Sequence, residues 1–250
     1  MSFSQPSLSV GIPAHNEEKT IEVVALAILS ICNRLLSENH INNFEVVFLD
    51  DASTDKTGEI IDKVSELSPR IKKISTTVPS GIDEVFNKLT NHLEHQWIII
   101  VPADNQWDGE ALTLLVDEWI SSGCSQICLS NRANKSQVYR VLRKITSNIF
   151  NFIASNLIGQ KSIDAGSVKI TLNSKNYHLK TKGVVSEIEK LIISRNILKK
   201  PIRTIDVPWK PRSAGKEKGI NSKVLILAGI QTFKLYYLNS RQKISDGTKK

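Results

Sequence analysis

The chain has 250 residues, 40% of them hydrophobic and 23% charged, which is enough for one sizeable hydrophobic core. It has no Gly/Pro-rich or repetitive stretch, so its composition excludes a fibrous or disordered protein. The formal net charge is +8, and the three cysteines, Cys32, Cys124 and Cys128, have neither CxxC nor metal-ligand spacing. We expect these thiols to pack in the core of a protein from a reducing compartment.

The expected location follows from two further features of the sequence. Residues 1–9 have neither the basic region nor the apolar region of a signal peptide, so we do not expect export. No window reaches the roughly 18 to 20 apolar residues that cross a bilayer. The sequence therefore predicts a cytoplasmic protein.

The first half of the chain alternates short apolar runs with helical patterns. Val- and Ile-rich runs predict buried strands at Ser7–Ala14, Phe44–Asp50, Ile71–Val78, Trp97–Val101 and Ser125–Ser130. Apolar spacings of three and four predict helices at Glu17–Ser37, Lys56–Leu67, Ile82–His95 and Gly109–Ser121. This alternation predicts an α/β fold with a mostly parallel, Rossmann-like sheet and helices on both faces. Function in such sheets lies at the carboxyl ends of the strands.

The second half is less regular. We predict helices at Gln137–Ile158, Ser186–Arg195 and Val224–Leu238, and strands at Ser167–Leu172 and Ile202–Val207. Pro208, Pro211 and Gly215 interrupt the pattern before the last helix. No linker separates two domains.

Charge is divided unevenly along the chain. Residues 1–130 carry 8 Lys and Arg against 19 Asp and Glu, whereas residues 131–250 carry 25 against 6. Acidic groups can hold a cation, and a basic surface attracts phosphates, nucleic acid or an anionic membrane. The alternative is an unevenly patterned solvated surface.

Three predicted strands end in carboxylates and amides. The segments are Pro13–Glu18, Asp50–Asp55 and Pro102–Gln106. Such a cluster at one sheet edge is costly unless cations or hydrogen-bond donors neutralise it. An Asp-Ala-Ser-Thr-Asp run is also a good turn and helix cap, an interpretation that we favour for Ser53 and Asp55. For Asp50, at the end of a buried strand, we favour a ligand role.

The same segments carry a family resemblance. Residues 9–18, SVGIPAHNEE, resemble the opening V-x-I-P-A-Y-N-E-E of glycosyltransferase family two, and VVFLDDASTD at 46–55 resembles its V-V-D-D-G-S-T-D strand end. The most similar branch is the polyprenyl-phosphate glycosyltransferases, which include dolichyl-phosphate mannose synthase. The resemblance extends to about residue 218. It implies a GT-A catalytic domain over residues 1–218, followed by a C-terminal apolar helix and basic tail over residues 219–250.

In this family the first strand ends hold the nucleotide of the sugar donor. The resemblance places a UDP- or GDP-sugar against Pro13, Ala14, Glu17, Asp50, Asp51, Gly81, Asn87 and Ala103. Uracil and guanine present N–H donors that an aspartate can accept. Gly81 is alternatively simple loop punctuation.

The metal motif departs from the family pattern. The family commonly has Asp-Ala-Asp-x-Gln, whereas this chain has Pro102-Ala103-Asp104-Asn105-Gln106. The resemblance makes Asp104 and Gln106 the ligands of Mg²⁺ or Mn²⁺, and Asp104 catalytic. Diphosphate oxygens and water can complete the octahedron of such an ion. The alternative is that Asp104 caps the helix beginning near Gly109.

An acceptor phosphate is the predicted target of the basic half. Arg132, Arg143 and Ser147 match family positions that grip the phosphate of a lipid acceptor, and guanidinium forks suit phosphate. The alternative is a solvated basic helix face.

Four further residues match family segments with altered patterns. Asp164 would line the sugar site, and Glu187 would contact sugar hydroxyls or cap a helix. Arg212 and Lys216 would close over the diphosphate, and Arg212 would stabilise the charge that develops as it leaves.

The resemblance therefore implies an inverting hexosyltransferase acting on a polyprenyl phosphate. Such an acceptor is already an anion, so it needs no strong base; a sugar-hydroxyl acceptor would need one, and Asp164 is then the candidate. A catalytically degenerate scaffold remains a further alternative. The sequence lacks the motifs expected of a sugar-nucleotide pyrophosphorylase and those expected of a nucleic-acid-binding module. Nothing in the sequence indicates the oligomeric state.

Two apolar segments, Ile149–Ile158 and Val224–Leu238, lie within the basic half, where an anionic membrane that presents a lipid acceptor would bind. This placement predicts peripheral contact with the cytoplasmic face of a membrane, whereas the lack of a clean polar side favours burial. Burial in the core or in a dimer interface is the alternative.

Overall fold

The computed structural model describes residues 5–133, 141–161, 163–182, 184–210 and 230–238. Within these ranges seven strands are present: β1 (Ser7–Ala14), β2 (Asn43–Asp51), β3 (Ile71–Thr76), β4 (Trp97–Ile100), β5 (Cys128–Arg132), β6 (Lys169–Leu172) and β7 (Arg203–Val207). The helices are α1 (Ile21–Ser37), α2 (Thr57–Ser65), α3 (Ile82–His92), α4 (Gly109–Ser121), α5 (Val141–Ile158) and α6 (Val184–Leu198). Residues 230–238 are also helical and are called α7.

The strands form one sheet in the order β3-β2-β1-β4-β6-β5-β7. Neighbours among β1 to β4 are parallel, as are β5 and β7, whereas β6 is antiparallel to both β4 and β5. The predicted α/β fold with a mostly parallel sheet is therefore confirmed. Because β6 runs backwards, its first residue lies at the edge where the parallel strands end.

Element boundaries differ from the predictions in both halves of the chain; helix α1, for example, begins at Ile21 rather than at Glu17. Strand β5 begins three residues later than predicted, at Cys128, and α5 is described only from Val141. The proposed C-terminal unit, residues 219–250, is described only at 230–238.

The core lies on both faces of the sheet. Alternate residues of β1, such as Val10 and Ile12, pack with α1, α2 and α4, and Trp97 and Trp119 meet there with ring centroids 5.5 Å apart. On the opposite face Leu89 of α3 packs with residues of β2 and β4. A separate cluster joins α5, α6 and α7. Strands buried on both faces explain why their sequences are continuous apolar runs.

The three cysteines are buried, free thiols. Burial raises the pKa of Cys32 and of Cys128 to about 12 and that of Cys124 to about 11. They therefore remain protonated and pack as small apolar groups.

Gly11, in the middle of β1, makes room for α3. A Cβ there would lie 2.8 Å from Cδ2 and 2.9 Å from Cγ of Leu89. We predict that Gly11→Ala lowers the free energy of unfolding by about 1–3 kcal/mol, because overpacking forces α3 away from the sheet. Chemical denaturation measures this change.

The control is Gly109→Ala, whose Cβ would meet only Ala27 Cβ at an ordinary 3.6 Å. We expect no destabilisation from it, since Ala favours the helix. In a Leu89→Ala background the penalty of Gly11→Ala should shrink. An equal penalty in both backgrounds would contradict the steric explanation.

Candidate active site

The ends of β1, β2 and β4 meet at one edge of the sheet. Ala14 pairs with Asp50, and Gly11 pairs with Ile100. Pairing continues past β4, because Val101 N–H donates to Gly11 O (2.9 Å) and Ala103 N–H donates to Pro13 O (3.3 Å). The predicted nucleotide residues Pro13, Ala14 and Ala103 are thus adjacent, and Asp104 follows immediately.

Hydrogen bonds join the first strand end to the second. Glu17 N–H donates to Thr57 Oγ1 (2.8 Å), and Glu18 N–H donates to Asp55 Oδ2 (3.2 Å). Burial raises the pKa of Asp55, but bonds from Thr57 and Glu18 outweigh burial and hold that pKa below its usual value. Asp55 thus caps a turn, and Ser53 Oγ likewise accepts a backbone N–H, from Asn16.

The two aspartates predicted for the nucleotide site point to opposite faces of β2. Asp50 Oδ1 accepts the N–H of Ser53 (3.2 Å), and its Oδ2 lies 2.9 Å from where a Cβ on Gly58, in α2, would sit. Asp51 instead accepts bonds from Thr76 Oγ1 (2.9 Å) and from the N–H of Ser80 (3.0 Å). Only Asp51 therefore contacts the loop before α3.

The charge of Asp51 is held by that loop. Burial raises the pKa of Asp51, but the bonds from Ser80 and Thr76 outweigh burial and lower the pKa below its usual value. The carboxylate consequently stays ionised and fixes residues 76–80 against the end of β2.

The loop before α3 has an open surface. Gly81 has φ 77°, which favours glycine, and a Cβ there would meet no atom within 4 Å. Asn87, which was predicted to bind the nucleotide, is exposed on α3 and directly precedes Lys88. Lys88 Nζ donates to Ser80 Oγ (2.9 Å) and brings a positive charge to this loop. Lys88 was not identified as a site residue from the sequence.

The metal motif forms a tight turn. Asp104 is 4% exposed, and its Oδ1 accepts the N–H of Gln106 (3.2 Å). Gln106 Nε2 donates to Lys210 O (3.0 Å), so the amide oxygen of Gln106 is the atom suited to a cation. Asp108, not Asp104, caps α4, because its Oδ1 accepts the N–H of Ala111 (3.0 Å).

A cation at this turn would have few protein ligands. Within the described ranges no group of three or more His, Cys, Asp or Glu side chains is arranged to hold a metal. One carboxylate and one amide oxygen fit Mg²⁺ or Mn²⁺ only if phosphate and water oxygens complete the shell.

Arg132 and Asp164 form a bidentate ion pair. Arg132 Nε donates to Asp164 Oδ2 (2.8 Å), and Nη2 donates to Oδ1 (2.6 Å), with the side chains 11% and 4% exposed. Asn151 of α5 also donates to Asp164 Oδ1 (3.2 Å), and Trp209 covers the guanidinium at 5.5 Å. The structure thus brings together two residues that the sequence assigned to different tasks.

Other predicted phosphate-binding residues are described only in part. Arg143 and half-buried Ser147 lie on α5, eight and four residues before Asn151, so spacing puts all three on one helix face. The side chain of Arg143 and the whole of Arg212 and Lys216 lie outside the part of the chain that the structure describes.

Glu187 joins two lysines instead of capping α6. Lys169 Nζ lies 2.9 Å from Oε2, and Lys190 Nζ lies 2.8 Å from Oε1. Lys169 also donates to Ala165 O (3.2 Å), so it ties the loop that carries Asp164 to α6. Burial raises the pKa of Glu187, but the two lysine charges outweigh burial and lower the pKa to about 2.

Sequence reasoning missed Asn151, Trp209 and the two lysines. Asn151 and Lys190 had a readable signal, because Asn151 lies four residues after Ser147 and Lys190 three after Glu187. Trp209 and Lys169 had none, since their contacts depend on strand pairing.

A mostly parallel seven-stranded sheet whose polar strand ends meet at one edge is the GT-A fold of glycosyltransferases. The family model described as "Glycosyl transferase family 2" matches residues 9–177. The chain belongs to that family and is a glycosyltransferase.

Several curated relatives cover most of the chain. A prophage bactoprenol glucosyl transferase homolog of Escherichia coli (strain K12) is 26% identical over 241 residues, which cover 92% of this chain and 73% of the relative. An undecaprenyl-phosphate 4-deoxy-4-formamido-L-arabinose transferase of Photorhabdus laumondii is 29% identical over 173 residues, covering 66% of this chain and 49% of that protein.

A solved structure has the same fold. Glucosyl-3-phosphoglycerate synthase from Mycobacterium tuberculosis superposes with a TM-score of 0.61 at 18% identity, covering 94% of this chain and 80% of that chain. Its complex with Mn²⁺, UDP and glucosyl-3-phosphoglycerate gives 0.57 at 18%, covering 92% and 77%.

We predict that Glu187→Gln lowers the free energy of unfolding by about 2–3 kcal/mol at pH 7, because two buried ammonium groups lose their shared counter-charge. The folded-state pKa, about 2, lies below the unfolded value near 4.5. The contribution is therefore present above about pH 5 and is lost as pH falls toward 2. Denaturant unfolding at several pH values measures it.

Glu66→Gln is the matched control, since Glu66 is exposed at the end of α2. We expect that control to change stability by less than about 0.5 kcal/mol. A difference between wild type and Glu187→Gln that persists unchanged at pH 2.5 would contradict the ion-pair explanation.

Proposed function

We propose that the enzyme transfers a hexose from a nucleoside diphosphate to a polyprenyl phosphate, with inversion at the anomeric carbon. The observation that carries this proposal is the connection between the metal motif and Arg132. Gln106 exchanges two hydrogen bonds with Lys210, and Trp209, the residue before Lys210, covers the guanidinium of Arg132. A diphosphate on one side of residues 209–210 would therefore lie near a phosphate on the other. The names of the relatives, which act on bactoprenol and undecaprenyl phosphate, support this acceptor.

The donor would lie across the ends of β1, β2 and β4. We place the base of a UDP- or GDP-sugar against the open loop at Gly81, with Asp51 rather than Asp50 nearer to it. Asp51 faces that loop through Ser80, whereas Asp50 faces α2. Pro13, Ala14, Glu17, Asn87 and Ala103 complete the proposed nucleotide site.

A divalent cation, Mg²⁺ or Mn²⁺, would be held by the Asp104 carboxylate and the Gln106 amide oxygen. When bound, it neutralises the diphosphate as that group leaves. Arg212 and Lys216 match family positions that neutralise the negative charge of the diphosphate. Their assignment to the diphosphate rests on the sequence resemblance alone. The Mn²⁺ in the Mycobacterium tuberculosis complex supports a divalent ion in this fold.

The acceptor would attack without help from a general base. A phosphomonoester has its second pKa near 6, so it is mostly a dianion at pH 7 and offers an ionised oxygen as the nucleophile. That oxygen forms the new bond to the anomeric carbon while the bond from this carbon to the diphosphate breaks. The nucleoside diphosphate leaves with the electron pair. Arg132, Arg143 and Ser147 would hold the attacking phosphate.

The acceptor's lipid tail would require contact with a membrane. Phe152 on α5 is 71% exposed and Phe233 on α7 is 75% exposed, although both helices pack on one buried cluster. Residues 145–160 contain no charged side chain, and the second half of the chain is strongly basic. Such a surface suits an anionic bilayer, and we place the enzyme peripherally on the cytoplasmic face. None of the described helices is both long and apolar enough to span a bilayer.

Enzyme assays test the reaction. Given labelled UDP- and GDP-sugars, the protein should glycosylate polyprenyl phosphate, should ignore the corresponding polyprenol, and should require a divalent cation. Asp104→Asn should lower kcat at least about 100-fold, because the cation loses its only proposed carboxylate. Asp117→Asn, in an exposed ion pair with Arg34, is the control and should retain activity. Transfer to polyprenol or a free sugar, with polyprenyl phosphate inert, would contradict the proposal.

Vesicle sedimentation tests the membrane surface. We predict that Phe152→Ser with Phe233→Ser weakens binding to phosphatidylglycerol-containing vesicles roughly tenfold or more, since two large apolar side chains no longer insert. Leu67→Ser is the control, because Leu67 is 63% exposed just beyond α2, outside that surface. Undiminished binding by the double variant, or no binding by wild type, would contradict this assignment.

A further inference from the structure

We propose that Asp164 and Trp209 are positioning residues that hold Arg132 ready for the acceptor phosphate, and that Asp164 is not a general base. This inference rests on the proposed function, since it concerns the phosphate that Arg132 would bind. It replaces the role that the sequence left open for Asp164 with one defined by its contacts.

Both carboxylate oxygens of Asp164 are engaged. Oδ1 accepts bonds from Arg132 Nη2 (2.6 Å) and Asn151 Nδ2 (3.2 Å), and Oδ2 accepts a bond from Arg132 Nε (2.8 Å). The backbone N–H of Asp164 donates to Asn131 Oδ1 (3.3 Å), which fixes the residue itself. The carboxylate is thus oriented toward the guanidinium by contacts from β5 and α5.

A base in this position would be poorly suited to its task. Taking up a proton would discharge Asp164 inside a pair that is 4% and 11% exposed, leaving the arginine without its counter-charge. An ionised phosphate, moreover, has no proton that must be removed before it attacks. The contacts therefore favour a permanent charge on Asp164.

The pairing defines the orientation of the guanidinium. Asp164 engages the edge made by Nε and Nη2, and Nη1 and Nη2 form the second edge of the same guanidinium, which has the geometry to bind a phosphate bidentately. A lysine could make neither the paired edge nor the fork.

Trp209 fixes the plane of the same guanidinium. Its ring lies 5.5 Å from Arg132 Cζ and is 2% exposed. Its own position is set on both sides, because Val207 O accepts the N–H of Ala133 (3.2 Å) and Lys210 exchanges bonds with Gln106. Stacking and pairing together restrict Arg132 to one orientation.

Steady-state kinetics with polyprenyl phosphate as the varied substrate tests this inference. Asp164→Asn should raise KM for the acceptor about 10–50-fold, leave KM for the donor unchanged, and keep kcat within about threefold. The pH profile of kcat should keep its shape, and Asp164→Glu should recover most of the affinity. A kcat loss of about 1000-fold at saturating acceptor, with the loss of one limb of that profile, would overturn the inference in favour of a base.

A double-mutant cycle tests whether both residues act through Arg132. Trp209→Leu should raise the acceptor KM about 3–10-fold. In an Arg132→Lys background, Asp164→Asn and Trp209→Leu should each add less than about twofold. Effects that multiply fully would overturn the inference. Trp119→Leu, the same substitution at a core tryptophan on α4, is the control for loss of a buried ring, and thermal unfolding verifies that each variant folds.

Failure of the proposed function shows separately in this experiment. Wild type that forms no product with polyprenyl phosphate refutes the acceptor and this inference together. If the wild type forms product but the effects of the substitutions on the acceptor KM multiply fully, only this inference is refuted.

Discussion

The position of β1 between two parallel neighbours determines where every polar strand end lies. Its residues pair with β2 over the whole of Ser7–Ala14 and with β4 from Leu8 to Gly11. Both faces of β1 are buried, but Val10 and Ile12 face one core cluster while Gly11 faces Leu89 of α3, so a slip of one residue would exchange large and small side chains between the faces. Hydrophobic burial thus fixes the register. The register in turn places the carbonyl of Pro13 within hydrogen-bonding distance of the N–H of Ala103, the residue before Asp104.

The acidic first half of the chain is less available to a cation than its charge suggests. Asp51 and Asp55 are bound by backbone and hydroxyl donors of neighbouring loops, and Asp108 caps α4. These carboxylates build the loops, because each satisfies N–H groups that strand-to-helix turns leave unpaired. The proposed cation site therefore rests on Asp104 and Gln106, in a motif that has Pro102 where the family has a carboxylate.

The sequence alone predicted the fold class and the strand ends, because continuous apolar runs between amphipathic helices have few other solutions. It did not predict which way Asp50 and Asp51 point. Both follow a buried strand, and only the observed register shows that Asp51 faces the loop at Ser80 while Asp50 faces α2. The start of β5 was misplaced for a similar reason. The predicted strand began at Ser125, but the observed pairing with β6 and β7 begins at Cys128.

Contacts across the antiparallel strand were the least predictable part of the site. Arg132 and Asp164 are 32 residues apart, and they meet because β6 is antiparallel to β5, so the loop before β6, which carries Asp164, lies at the edge where β5 ends. Neither motif nor spacing states the direction of β6. For the same reason Lys169, at the start of β6, reaches Glu187 of α6.

The short segment after β7 is shared by the two halves of the proposed reaction. Strand β7 is parallel to β5, so residues 208–210 leave the sheet beside Arg132. Trp209 then covers that guanidinium, while Lys210 pairs with the backbone of Gln106 and its ammonium pairs with Asp108. The turn proposed to hold the cation and the arginine proposed to hold the acceptor are therefore attached to adjacent residues. Their separation is fixed by the sheet before any substrate binds, which is the preorganisation that an in-line transfer between two phosphate-bearing substrates requires.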